Sequence, residues 1–122
     1  MVEKEQFVLF QWGKFKSAAG LDLDWKIECD ALTEDDWRCI AAVGARALPQ
    51  FGGVAGVPEG GVRLAKAFEP YRMAGVRRML IVDDVWTTGK SMTGYADSVA
   101  GLADWCGFVA FARGALPDHV TC

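Results

Sequence analysis

The sequence predicts an α/β domain: a small, mostly parallel sheet of three or four strands flanked by helices. Three observations carry this. Met79, Leu80, Ile81 and Val82 form an unbroken apolar run suited to a strand buried on both faces, and the carboxylates Asp83 and Asp84 follow it. Strand-like and helix-like stretches alternate along the chain. Finally, 122 residues with 52% apolar content suffice for one core and are too few for two ordinary domains. Residues 1–122 are therefore read as a single domain, with an N-terminal segment 1–30 and a core 31–122.

The elements follow in order. Thr33 is placed as a helix N-cap, because Glu34, Asp35 and Asp36 complement the positive end of a helix whose Trp37, Ile40, Ala41, Gly44 and Leu48 fall near one face. Pro49 ends that helix. Residues 51–57 read as a glycine-diluted strand and 62–68 as a short helix stopping before Pro70. The apolar strand at 79–82 comes next, then a helix over about 91–105 and a strand over 108–112. No repeat, low-complexity segment or linker interrupts the series.

Composition excludes several classes. A net charge of −3 and a pI near 5.1 argue against a nucleic-acid binder relying on general phosphate attraction. Cys29, Cys39, Cys106 and Cys122 contain no C-x-x-C pair and have only His119 as a nitrogen partner, so zinc is disfavoured. They read as small buried residues or surface thiols, which fits a reducing cytoplasm. The opening residues carry acids where a secretion signal would be basic, and their apolar run is too short to span a bilayer.

The chemistry concentrates at residues 79–91, MLIVDDVWTTGKS. In open α/β sheets ligands collect at the carboxyl ends of strands, and a turn that opens a helix offers free amides to a phosphate. Gly89, Lys90 and Ser91 resemble the tail of a P-loop, but that pattern needs glycine where the chain has Asp84. The bland alternative is that the paired acids form a solvated turn and helix cap. Residues 56–61, GVPEGG, form a second glycine-rich turn, either a place for close ligand approach or an ordinary strand-to-helix connection.

LIVDDVWTTGKS resembles the phosphoribosyl pyrophosphate (PRPP) signature of the type I phosphoribosyltransferases: an apolar strand, two acids, two variable residues and a Thr/Gly-rich loop ending in Ser or Thr. The resemblance implies that Asp83 and Asp84 lie by the ribose hydroxyls with Mg²⁺ held nearby through water. It also implies that Thr87, Thr88, Gly89, Lys90 and Ser91 wrap the 5′-phosphate, while Gly60 and Gly61 serve the pyrophosphate. Hydroxyl donors suit carboxylate acceptors, and a phosphate suits N–H groups, so the chemistry agrees. Lys90 either adds charge or points to solvent. Glu59 departs from the resemblance, since many relatives carry a cation near this point.

Nearer the start, Phe15, Gly20 and Trp25 align with a segment of orotate phosphoribosyltransferases, which would put 1–30 on the base side. Ala19 and Leu23 replace hydroxyl positions. Trp25 and Lys26 either face a base pocket or, for Trp25, join the core. Thr87 stands where relatives that use 6-oxopurines carry an acid, which leans toward orotate-like bases. A larger departure is that only residues 71–78, YRMAGVRR, occupy the place of the family's strand, flexible loop and strand. The implied function is Mg²⁺-dependent transfer of ribose 5-phosphate from PRPP to a nitrogenous base, with release of pyrophosphate. The alternative is a non-catalytic module binding PRPP or a nucleotide. A homodimer is expected, because the small sheet has two edges and the chain has five tryptophans to cover.

Overall fold

The computed structural model describes residues 9–16, 22–101 and 104–122. The chain divides into two compact units, 1–33 and 34–122. In the first, β1 (Phe10–Lys16) pairs antiparallel with β2 (Asp22–Ile27), with Trp12 opposite Trp25 and an irregularity between Trp12 and Phe15. A 3-10 turn, Cys29–Ala31, follows. Residues 17–20, where Ala19 and Gly20 were aligned, lie outside the described residues.

The second unit is a four-stranded sheet in the order β3 (Gly53–Gly56), β4 (Met79–Trp86), β5 (Trp105–Ala112), β6 (Val120–Thr121), and every pair in it is parallel. Its helices are α1 (Glu34–Ala47), α2 (Val62–Phe68) and α3 (Lys90–Val99). The α/β class and the flanked parallel sheet are as expected from the sequence.

Side-chain alternation on β4 and β5 explains why both faces are covered. Ile81 and Val109 point to one side, where they pack in a cluster with Met92 and Ala96 of α3. Phe108 points to the other side, where its ring meets Phe68 at 5.2 Å between centroids. Gly44 of α1 comes so close there that a Cβ on it would lie 2.7 Å from the Phe108 ring. Trp37, Ala41 and Gly44, spaced four and three apart, are the buried stripe of α1.

Several boundaries differ from the sequence reading. The central strand runs on to Trp86, so Asp83 and Asp84 sit inside β4 rather than after it. The helix expected to reach 105 stops at Val99, because Gly101 takes a left-handed conformation (φ +58°) and turns the chain. Trp105 opens β5 instead, ahead of the expected start at 108. The first strand of this sheet is shorter than 51–57, and a 3-10 turn, Glu69–Tyr71, carries the chain through Pro70.

Residues 72–78 hold no strand. They are fastened to the amino end of the sheet: Met73 N–H donates to the Phe51 carbonyl, the Arg72 guanidinium to the Gly52 carbonyl, and Gly52 N–H to the Arg78 carbonyl. Residues 79–82 of β4, at roughly 3.3 Å each, separate this segment from Asp83, and the segment lies at the end of the strand opposite the Gly89 turn. Among the described residues no helix is long and apolar enough to cross a membrane.

Candidate ligand site at the carboxyl end of the sheet

Two loops and the end of β4 converge. Val57 N–H donates to the Val82 carbonyl (2.8 Å), which ties the chain leaving β3 to β4 just before the acids. Gly61 N–H then donates back to the Val57 carbonyl (2.8 Å), closing a turn in which the Pro58–Glu59 peptide is cis. This folds the glycine pair down onto β4. A Cβ on Gly61 would lie 2.3 Å from the Val82 carbonyl oxygen and 3.1 Å from Asp83 Cα, and one on Gly60 would lie 2.5 Å from Asp84 Oδ2. Only glycine allows the backbone to approach the carboxylates this closely. Glu59 is exposed.

Asp83 is buried, at 8% exposure, and Asp84 is half-buried. Each carboxylate is held by the next residue's amide: Asp84 N–H donates to Asp83 Oδ1 (2.8 Å) and Val85 N–H to Asp84 Oδ1 (2.7 Å). Burial pushes the Asp83 carboxyl from its ordinary 3.8 to about 8, with a hydrogen bond to the Asp84 carboxylate and its charge acting in the same direction. Asp83 thus keeps its proton near neutrality, hydrogen-bonded to the Asp84 carboxylate.

Beyond them, Trp86 turns its indole under the loop. Gly89 has φ +84°, and a Cβ there would stand 2.3 Å from the Trp86 ring, so both the turn and its packing require glycine. Thr88 Oγ1 accepts from Lys90 N–H (3.5 Å), and Thr93 N–H donates to the Gly89 carbonyl, opening α3. No side chain caps Gly89. The first amides of a helix have no intrahelical acceptor, so this end of α3 presents N–H groups and a partial positive charge. Thr88, Lys90 and Ser91 are exposed and Thr87 is half-buried.

The structure therefore gathers Asp83, Asp84, Gly60, Gly61, Thr87, Thr88, Gly89, Lys90 and Ser91 at one end of one sheet. Lys26 lies on β2 of the first unit, paired with Gln11. Sequence reasoning missed the loop after β5. Arg113 N–H donates to the Trp86 carbonyl (2.9 Å), and Gly114 lies against the Thr87 carbonyl, which places residues 113 and 114 beside the signature turn. Their only signal was position: they follow a strand parallel to β4, where an α/β sheet collects ligands.

Mg²⁺ fits the donor set. It takes oxygen ligands, commonly one or two carboxylates completed by water and substrate phosphates, and the adjacent Asp83 and Asp84 offer such a pair once Asp83 gives up its proton. No group of three potential metal-binding side chains occurs among the described residues, so an all-protein metal cage is not built here.

Comparison with solved structures identifies this architecture. The orotate phosphoribosyltransferase from Aeropyrum pernix superposes with a TM-score of 0.71 at 20% identity, covering 93% of this chain and 82% of that one. The UMP synthase of Leishmania donovani gives 0.70 at 18% identity over 88% of this chain and 30% of its own length. The Mycobacterium tuberculosis H37Rv orotate phosphoribosyltransferase, in complex with Fe(III) dicitrate, gives 0.64 at 16% identity over 84% of this chain and 75% of that one. No family model and no curated protein matches the sequence. The small parallel sheet flanked by helices is the phosphoribosyltransferase-like fold of these neighbours.

Proposed function

We propose that the chain binds PRPP at the carboxyl end of β4 and transfers its ribose 5-phosphate to a nitrogenous base, orotate-like rather than 6-oxopurine, releasing pyrophosphate. The observation that carries this reading is the seating of Gly60 and Gly61 directly on Asp83 and Asp84, within the same sheet end as the Gly89 turn. A ligand carrying two phosphate groups on either side of a diol matches that layout. Backbone amides at the start of α3 lie on one side of the carboxylate acceptors, and the side-chain-free Gly60 and Gly61 leave space on the other.

In this reading the α3 amides with Thr87, Thr88 and Ser91 hold the 5′-phosphate, and Asp83 and Asp84 accept from the ribose hydroxyls. Gly60 and Gly61 leave room for the pyrophosphate. Lys90 sits exposed at the rim and adds charge there. Mg²⁺ held near the two aspartates through water would neutralise phosphate charge as pyrophosphate leaves. Asp83 has to release its proton for both acids to act as acceptors, so binding is coupled to proton release near pH 7. Lys26 is assigned to the base side, and Thr87 leaves the turn without the acid that a purine N7 would meet.

Binding without turnover is the second reading, favoured by the position of residues 72–78 at the amino end of the sheet. A closing loop excludes water from such a reaction, and this segment lies at the end of β4 opposite the Gly89 turn. Thermal melting against PRPP, orotidine and inosine monophosphates, pyrophosphate and orotate, with and without Mg²⁺, tests both readings. A Mg²⁺-dependent shift with PRPP supports the site, and pyrophosphate formation on adding orotate separates turnover from binding. No shift with any phosphosugar at millimolar concentration removes both.

A further inference from the structure

The signature turn rests on an aromatic floor. Trp86, the last residue of β4, is buried and belongs to the cluster that holds Ile81, Met92, Ala96 and Val109. A Cβ on Gly89 would lie 2.3 Å from Trp86 Cη2, 2.5 Å from Cζ2 and 3.0 Å from Cζ3, so the benzo edge of the indole lies directly against the Gly89 backbone. The main chain of Trp86 is pinned from the β5 side. It pairs with Ala112 in the ladder, and its carbonyl accepts from Arg113 N–H at 2.9 Å. Strand end and ring are thus both fixed beneath the turn.

Gly89 has no side chain with which to fix its own conformation. Glycine has the widest choice of backbone angles, and the φ of +84° that opens α3 is one among many open to it. No side chain caps it either. Beyond it, the first amide bonded back within the helix is that of Thr93, which donates to the Gly89 carbonyl at 3.0 Å. Lys90 N–H makes only a long 3.5 Å bond to Thr88 Oγ1, and the Ser91 and Met92 amides belong to the same first turn. These donors converge on an anion only while the turn keeps its shape. Two contacts impose that shape: the indole edge beneath Gly89, and the fully buried Met92 side chain in the cluster that Trp86 shares.

We infer that Trp86 is a positioning residue for the 5′-phosphate, acting through Gly89: its ring holds the turn 87–91 in the shape that aims the first amides of α3 at the anion. The inference rests on the PRPP reading of this site and goes beyond it, because the signature leaves residue 86 variable and gives it no role. Large ring and bare glycine are a matched pair. A smaller residue at 86 leaves a void under Gly89, the turn samples other conformations, and part of the binding free energy goes into restoring the bound one. The pyrophosphate side stays as it is, since Gly60 and Gly61 sit against Val82, Asp83 and Asp84 and not against Trp86.

Amide NMR of the full chain, during separate titrations with ribose 5-phosphate and with pyrophosphate in Mg²⁺, compares the parent with Trp86→Phe and Trp86→Leu. In the parent, the amides of residues 88–91 should respond saturably to ribose 5-phosphate. Trp86→Leu should weaken that binding at least about tenfold, the size of one hydrogen bond to a charged group, and leave the pyrophosphate response at Gly60 and Gly61 unchanged. Trp86→Phe keeps an aromatic ring in the core and should show the same selective loss, smaller in size; it decides the question if the leucine variant unfolds. Coupling gives a second readout. Gly89→Ala drives a methyl group into the indole, so it should weaken ribose 5-phosphate by a larger factor in the parent than in Trp86→Phe. Equal losses for the two ligands, or a folded Trp86→Leu that binds ribose 5-phosphate like the parent, overturn the inference and leave the PRPP reading standing. A parent whose residues 88–91 do not respond to ribose 5-phosphate removes that reading, and the inference with it.

Discussion

Asp83→Asn isolates the electrostatic state of the site. In the parent, burial and Asp84 raise the Asp83 carboxyl from 3.8 to about 8. Because the folded value lies above the unfolded one, the folded chain binds the extra proton between these values. Stability from this group is fully present below about pH 4 and is lost as pH rises toward 8. At about 1.4 kcal/mol per pKa unit, moving from pH 5 to pH 7 lowers the parent's stability by about 2 to 3 kcal/mol through this residue alone. Asparagine does not titrate. Its side-chain oxygen can still accept from Asp84 N–H, as Oδ1 does now at 2.8 Å, and its amide can donate to the Asp84 carboxylate in place of that proton. The variant should match the parent near pH 5 and exceed it by about 2 to 3 kcal/mol at pH 7, while losing affinity for PRPP. Urea unfolding followed by tryptophan fluorescence at pH 5, 6, 7 and 7.5 measures the difference. A stability gap that does not change with pH refutes the buried, protonated description of Asp83.

Other perturbations bear on the glycine turns and on assembly. Gly61→Ala should destabilise by about 1 to 3 kcal/mol, because its Cβ meets backbone atoms of Val82 and Val57 that cannot move aside. Gly94→Ala, inside α3 with open space around its Cβ, should stabilise by about 0.5 to 1 kcal/mol, and chemical denaturation of both variants checks the pair. Gly89→Val should cost at least about 1 to 2 kcal/mol from its left-handed backbone, and should also abolish any phosphosugar-induced melting shift. Titration calorimetry of PRPP at pH 7 in buffers of different ionisation enthalpy should reveal proton release in the parent and none in Asp83→Asn. Light scattering at micromolar protein should give a dimer mass. If the site is shared, crosslinking should place Arg77 or Arg78 of one protomer near the turn 87–91 of its partner, and a monomeric mass rejects the assembly.

The sheet's centre was legible because burial on both faces demands apolar side chains at successive positions, and Leu80, Ile81 and Val82 supply them. The length of β4 was not, since Asp83 and Asp84 are polar residues inside a strand and periodicity treats them as its end. Their ladder partners on β5, Val109 among them, hold the backbone extended regardless. The end of α3 was misplaced because Ala96, Ala100 and Ala103 keep a helical four- and three-residue spacing of apolar residues across Gly101, whose positive φ governs. β6 was invisible at two residues, and its strand character comes from pairing with Gly107 and Phe108. Within the site, the residue set was readable from spacing, but the contact of Gly60 with Asp84 and the placement of residues 113 and 114 needed the tertiary structure. That 72–78 lies at the opposite sheet end also required the hydrogen bonds to Phe51 and Gly52.

The central claim is that one sheet end, built on two aspartates and two glycine turns, is a PRPP site. Its most direct test is calorimetric titration of PRPP in Mg²⁺ into the parent and into the double variant Asp83→Asn, Asp84→Asn, with circular dichroism confirming that both are folded. The account predicts saturable binding by the parent that falls at least tenfold in the double variant, a loss of about 1.4 kcal/mol or more. Equal affinity in the two proteins would contradict it and leave the aspartates as structural residues of β4.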